Sequence, residues 1–265
     1  MTQKIASVRE GLRQLAAATP FETSLFVKDI VSGDTFEHNA ATRTPAASMI
    51  KLFILWTLFE AADANKLSLD ETYAYKESDR VEGGMLHMVR AGAQLRLEDI
   101  ALLMLAVSDN TAANILIDRL GIGAINAAIE KIGSKETVLG RKFMDFEAKK
   151  QGRDNFTSAR DLANVLERIQ AHGGRMLDML SVQKNIPKLP AKFPFEDADD
   201  LEAIIAHKTG ELPGREHDAG ILFHRSDTPV IVAALTGDIP NRLAGCAFCA
   251  DAGKIVYDAF APSKA

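Results

Sequence analysis

The β-patterned segments of this chain fall into two groups that lie far apart in sequence. Near the N-terminus, Ser24 to Ile30 alternates with β-favouring residues, Ser32-Gly33-Asp34 supplies turn chemistry, and Thr35 to His38 continues extended, which reads as a hairpin. Beyond Pro194 come three short β-rich runs, Ala203 to Lys208, Ala219 to Arg225 and Pro229 to Thr236, split by Gly and Pro clusters. Between the groups the periodicity is helical: Met49 to Ala64, Leu97 to Val107, Thr111 to Leu120, Ile122 to Ile132 and Ser158 to Ala171. Strands so placed share a core when one sheet draws on both termini. The expected fold is therefore α/β (α+β), an antiparallel sheet built from both ends of the chain. A first helix over residues 3 to 17 and a closing helix from about Asn241 to Phe260 flank it, and an all-α subdomain is inserted. One domain over 1–265 is expected, with its α/β part at 1–47 and 200–265 and its all-α part at 48–199. The cleft between the parts is where a site should lie.

Composition narrows the function classes. Apolar residues make up 47% and charged residues 25% of the 265 residues, which fits an ordinary folded protein rather than a disordered or fibrous one. The net charge of −5 and the lack of any basic run argue against nucleic acid as a partner. The longest apolar stretches, Ile100 to Val107 and Val230 to Leu235, fall far short of the roughly 20 residues of a membrane span. No signal-peptide core precedes Arg9 and Arg13, so a cytoplasmic location is expected as written. A chain whose export signal had been replaced by Met1 would read the same and would be periplasmic or secreted. Cys246 and Cys249 form a lone CxxC without further soft ligands, which reads as two small apolar residues on a late helix. No HExxH and no other histidine spacing suggests a metal.

Three short motifs carry chemistry. In Ser48-Met49-Ile50-Lys51, a helix starting at Ser48 sets the hydroxyl and the amine one turn apart on one face. The following LFILWTLFE is apolar around most of its circumference, so Lys51 is expected inside, where burial would lower its pKa enough to make it a base. The same four-residue spacing recurs at Ser181 to Lys184 without an apolar helix behind it, and a capping serine is the bland alternative. Ser108-Asp109-Asn110 follows the apolar run ALLMLAV at a turn between buried helices, where side chains can be aimed into a cleft, or can merely cap. Lys208-Thr209-Gly210 ends a β-run, where a glycine lets the backbone approach a ligand and a lysine adds positive charge.

In this order and setting, SMIK, SDN and KTG resemble the three motifs of the penicillin-recognising serine enzymes, and most closely the class A β-lactamases. TRTPAASMIKLFIL, LRLEDIALLMLAVSDNTAANILIDRLG and HKTG with AGILF and PVIVAALTG are also similar to the family's corresponding regions. The resemblance implies a serine hydrolase that opens β-lactam rings through a Ser48 acyl-enzyme, with no cofactor. Lys51 would be base or proton relay, and Ser108 would pass a proton to the departing nitrogen. Asn110 would hold the substrate's acylamide and help to position Lys51. Lys208 and Thr209 would bind the substrate carboxylate, with Gly210 beside them, and the backbone N–H groups of Ser48 and Glu211 would form the oxyanion hole. The partner is thus a small anionic β-lactam or acyl-D-Ala-like molecule, and a monomer is expected.

One departure bears on turnover. The family's water-activating glutamate lies two residues past an arginine; here Arg141 is followed at that place by Phe143. Arg141 and Asp154 are expected to anchor this loop as an ion pair, and Glu147 is the candidate base, with Asp145 as the other available carboxylate. Without such a base, hydrolysis would be slow, as in a D-alanyl peptidase, an esterase or a penicillin-binding sensor. His207 should face away from Lys208 in a structural role, His217 is expected to reach toward the cleft mouth, and Arg215 within ELPGREHD is expected to tune substrate preference.

Overall fold

The structure is a computed structural model that describes residues 3–223 and 228–260. Its elements in chain order are α1 (Gln3–Ala18), β1 (Glu22–Asp29), β2 (Thr35–His38), β3 (Thr44–Pro45), α2 (Lys51–Asp63), β4 (Thr72–Ala74) and β5 (Gln94–Arg96). Then follow α3 (Leu97–Ala106), α4 (Asn110–Leu120), α5 (Ile122–Lys131), α6 (Phe146–Lys150), β6 (Phe156–Thr157), α7 (Ala159–His172) and α8 (Arg175–Ser181). The chain closes with α9 (Ala198–Ile204), β7 (Ile205–Leu212), β8 (Arg215–Leu222), β9 (Val230–Gly237) and α10 (Arg242–Phe260). The fold is the expected mixed one: a five-stranded antiparallel sheet in the order β2-β1-β9-β8-β7, drawn from both termini.

The central strands are apolar on both faces because both are covered. Successive residues point to opposite sides, so Leu25, Val27, Val230, Val232 and Ala234 pack with α1 and α10, while Phe26, Ile231, Ala233 and Leu235 join the core shared with α2 and α7. The second core continues through α2, whose residues Lys51 to Leu55 are all buried, as an apolar circumference requires.

Three expectations are corrected. The middle of the chain is not purely helical: β4 pairs with β5, and β3 pairs with β6. Strands of two or three residues are too short to show a period in sequence. Residues 198–204 form α9, where a strand was expected from Ala203; Asp197 caps it by accepting from the Asp200 N–H at 2.9 Å. The turn after KTG is only Pro213-Gly214, with Gly214 in the left-handed region at φ 75°, so β7 runs on to Leu212. The end of the expected run Ala219 to Arg225 falls at His224 and Arg225, outside the described residues.

Helix α10 crosses the 3-10 turn Leu189–Lys192 at Gly253, where an added Cβ would lie 2.1 Å from the Leu189 carbonyl oxygen. Alanine at this position gains about 1 kcal/mol of helix propensity, but the obstacle is backbone and no rotamer relieves it, and overpacking costs about 1–3 kcal/mol. Gly253→Ala is thus expected to lower the unfolding midpoint by a few degrees, roughly 2–4 °C per kcal/mol for a protein near this size. A midpoint equal to or above wild type in a thermal scan would show that the turn yields freely.

Candidate active site

Ser48 lies in a 3-10 turn, Ala47–Ile50, that leads directly into α2. Three residues per turn make positions i and i+3 eclipse, so the Lys51 amine stands over the Ser48 hydroxyl, with Nζ 3.2 Å from Oγ. The serine is brought to the sheet by Gly210: a Cβ there would come within about 3 Å of Met49 Cγ and Ala47 Cβ. His217 does not reach the cleft mouth. It is buried, its Nε2 lies 3.1 Å from the Pro45 carbonyl oxygen, and its Nδ1 accepts from the Thr236 N–H, tying the segment before Ser48 to the sheet. Burial pushes its pKa down to about 4, so it is neutral near pH 7.

Lys51 is buried and meets four groups. Its Nζ is 2.6 Å from the Ser108 carbonyl oxygen, 2.8 Å from Asn110 Oδ1, 3.2 Å from Ser48 Oγ and 3.3 Å from Ser108 Oγ. Burial and then the charge of Lys208 hold its pKa well below the ordinary lysine value, against an opposing pull from Asp109. A neutral amine has two protons and one lone pair. When Lys51 is neutral, the two nearest acceptors can take its protons and its lone pair is left for the Ser48 hydroxyl. The Phe143 ring lies against this amine, its centroid 4.4 Å from Nζ.

Ser108 bridges two amines, since Lys208 Nζ donates to its Oγ at 3.0 Å and to the Thr209 carbonyl at 2.8 Å. Burial, then the charge of Lys188, lowers the Lys208 pKa to about 7, with Asp218 and Glu211 acting in the other direction. Ala47 and Ser108 are both left-handed, at φ 49° and 56°. Non-glycine residues in this region cost about 1–3 kcal/mol and gather at functional sites.

These residues meet at a cleft of about 520 Å³ lined by Ser48, Ser108, Asn110, Thr209, Glu211 and their neighbours. Gly210 lies behind the wall, and Glu211 accepts at the rim from Asn185 and, at 2.9 Å, from Arg242. Glu147 is not brought to this cleft. Its side chain is 75% exposed and pairs with Lys150 on α6, and Asp145 caps that helix by accepting from the Ala148 N–H. Arg141 and Asp154 do pair, at 2.8 Å, and Asn114 holds Phe143 through both of its backbone groups. Arg215 instead meets Thr44 and lines a separate pocket with Glu22, away from Ser48. His207 is buried against Asp218, 2.9 Å away, on the far side of β7.

The sequence offered Asp109 only as a possible helix cap; its buried carboxylate is that cap and also organises the cleft wall. It caps α4 by accepting from the Ala112 N–H and accepts from the Met85 and Leu86 N–H groups at 2.6 Å. Gly83 and Gly84, at φ 94° and 101°, let that loop press on the motif: a Cβ on Gly84 would lie 2.4 Å from Asp109 Cα. The Gly-Gly pair was the available signal. Lys188, Glu216 and Arg242 were missed.

Compared with known proteins, residues 7–260 match the model of the β-lactamase enzyme family. Among curated relatives, β-lactamase CARB-3 of Pseudomonas aeruginosa is 26% identical over 171 residues, 63% of this chain and 59% of that protein. The matched part thus spans about three fifths of the length of the first curated relatives. Among solved structures, a β-lactamase from Sphaerobacter thermophilus DSM 20745 has TM-score 0.82 and 27% identity, over 96% of this chain and 97% of that one. A leucine-to-glutamate variant of PBP-A, an acyl-enzyme complex with penicillin G, has TM-score 0.83 and 26% identity, over 97% of each chain.

Replacing Asp109 by Ala would leave three N–H groups without their acceptor, at about 1–3 kcal/mol for each donor left buried and unsatisfied. Asp109→Ala is expected to lose about 3 kcal/mol or more of stability in a denaturant titration. A loss under about 1 kcal/mol would mean the 83–86 loop is held by other contacts.

Proposed function

The chain belongs to the β-lactamase enzyme family, and from that premise we propose that it is a serine hydrolase that opens the β-lactam ring of penicillin- and cephalosporin-type substrates through a Ser48 acyl-enzyme. The observation that carries the reading is the relay of Ser48, Lys51, Ser108 and Lys208, each within hydrogen-bonding reach of the next beside a cleft. Lys51 takes the Ser48 proton as Oγ attacks the carbonyl carbon. The proton passes to Ser108 and on to the ring nitrogen as the C–N bond breaks. Lys208 and Thr209 receive the substrate carboxylate, and the Ser48 and Glu211 N–H groups receive the oxyanion, where one donor is typically worth about 2.7–4 kcal/mol.

A second reading rests on Phe143. The position where class A relatives hold a water-activating glutamate carries an apolar ring packed on Lys51, and Glu147 is out on α6. The groups for acylation converge on the cleft, whereas neither candidate base, Glu147 nor Asp145, reaches it, which favours slow turnover, as in a D-alanyl peptidase, an esterase or a penicillin-binding sensor. Intact-mass analysis after mixing with benzylpenicillin is expected to reveal an adduct that persists on wild type and never forms on Ser48→Ala. Phe143→Glu should shorten its lifetime at least ten-fold. Neither adduct nor product from wild type would remove β-lactams as the substrate class.

The two amines set opposite limbs of a pH profile. Lys51 must be neutral to act as base, so acylation falls as acid protonates it. Lys208 attracts an anion only while protonated, so the second-order acylation rate with benzylpenicillin should decline as pH rises through about 7. An uncharged ester substrate should lack that alkaline limb. A common alkaline limb for both would assign it to another group.

A further inference from the structure

Directly behind the KTG strand lies a third buried lysine that the reaction scheme above does not use. Lys188 has no exposed surface, and its Nζ donates to the Gly210 carbonyl at 2.9 Å and to the His217 carbonyl at 3.2 Å, on the paired strand β8. It lies 2.7 Å from Glu216 Oε2 and 3.5 Å from Glu211 Oε1, and Arg242 Nε donates to the other Glu216 oxygen at 3.1 Å. A buried ammonium at this place is costly to desolvate, and α10 packs against the next residue, Leu189, at Gly253.

The Gly210 carbonyl belongs to the same peptide unit as the Glu211 N–H. That unit is planar and trans, so its C=O and N–H point in opposite directions. The Gly210 carbonyl is held by Lys188 on the side of its register partner His217, so the Glu211 N–H faces the other way, toward the edge of β7 on which no strand lies among the described residues. A cation on the carbonyl oxygen also polarises the amide and strengthens its N–H as a donor. We infer that Lys188 is a positioning residue that holds the Gly210–Glu211 peptide unit and polarises the Glu211 N–H for the oxyanion. This inference rests on the acyl-enzyme reading for its chemistry, though not for its structural part.

Lys208 is faced by Lys51 and Ser108 from the helical side, by Lys188 from behind, and by Asp218 and Glu211 from the sheet. Removing the Lys188 charge therefore leaves its carboxylate neighbours to raise the Lys208 midpoint.

The test uses the full chain carrying Lys188→Met, and a second variant, Lys188→Met with Glu216→Gln, which removes both members of the buried pair should the single variant fold poorly. Without any substrate, the Glu211 amide resonance is expected to move and the Lys208 ammonium titration to shift to higher pH by NMR. With benzylpenicillin, the limiting acylation rate should fall at least ten-fold while the concentration giving half of that rate changes less than three-fold, and the alkaline limb should move upward in pH. A merely structural lysine would change stability without moving either titration. An unmoved Glu211 amide and Lys208 midpoint in a folded variant overturn the inference whatever the substrate. A wild type that forms no Ser48 adduct, with those two resonances shifted as expected, overturns the acyl-enzyme reading alone.

Discussion

One amine ties the two halves of this molecule together. Lys51 rises from the first turn of a helix inside the helical core, yet its contacts reach the turn between α3 and α4 and the serine that abuts the sheet. A charged lysine would find carbonyl acceptors there but would repel Lys208 at close range; a neutral one satisfies two acceptors and presents a lone pair. Burial thus decides the protonation state, and the protonation state decides what the serine can do. The apolar circumference of α2 is consequently part of the chemistry and not only of the packing.

The sheet contributes a different kind of precision. β7 sits at the edge of the sheet, so one side of its backbone pairs with β8 and the other is not committed to a strand among the described residues. Gly210 permits the serine turn to press on that strand, and buried His217, neutral and bonded on both ring nitrogens, ties down the approach to Ser48. Neither acts on a substrate; both remove freedom from groups that would. Left-handed backbone at Ala47 and Ser108 fits the same picture, since strained conformations persist only where surrounding contacts over-determine them.

Much of this was legible in the sequence because it is local. The Ser48 to Lys51 spacing, the turn after ALLMLAV and the glycine closing KTG each announce themselves within a few residues, and the strand groups at both ends force a shared sheet. What stayed hidden depends on contacts between distant segments. Lys188 reads as a surface lysine in KNIPKLP, and its burial depends on contacts with β7 and β8, more than twenty residues away. Phe143 was visible as a departure, but its packing on Lys51 required the loop to be folded by Asn114 and the Arg141–Asp154 pair. His217 and Arg215 were misplaced because alternation along β8 assigns a face but not which neighbour covers it.

Three buried amines in succession, Lys51, Lys208 and Lys188, crowd potential like charges together, and burial and mutual repulsion loosen the protons of the first two. Evolution toward greater robustness would find an easy route by neutralising one of them, and each such step would dull the site it steadied. The fold is in this respect held short of its most comfortable sequence.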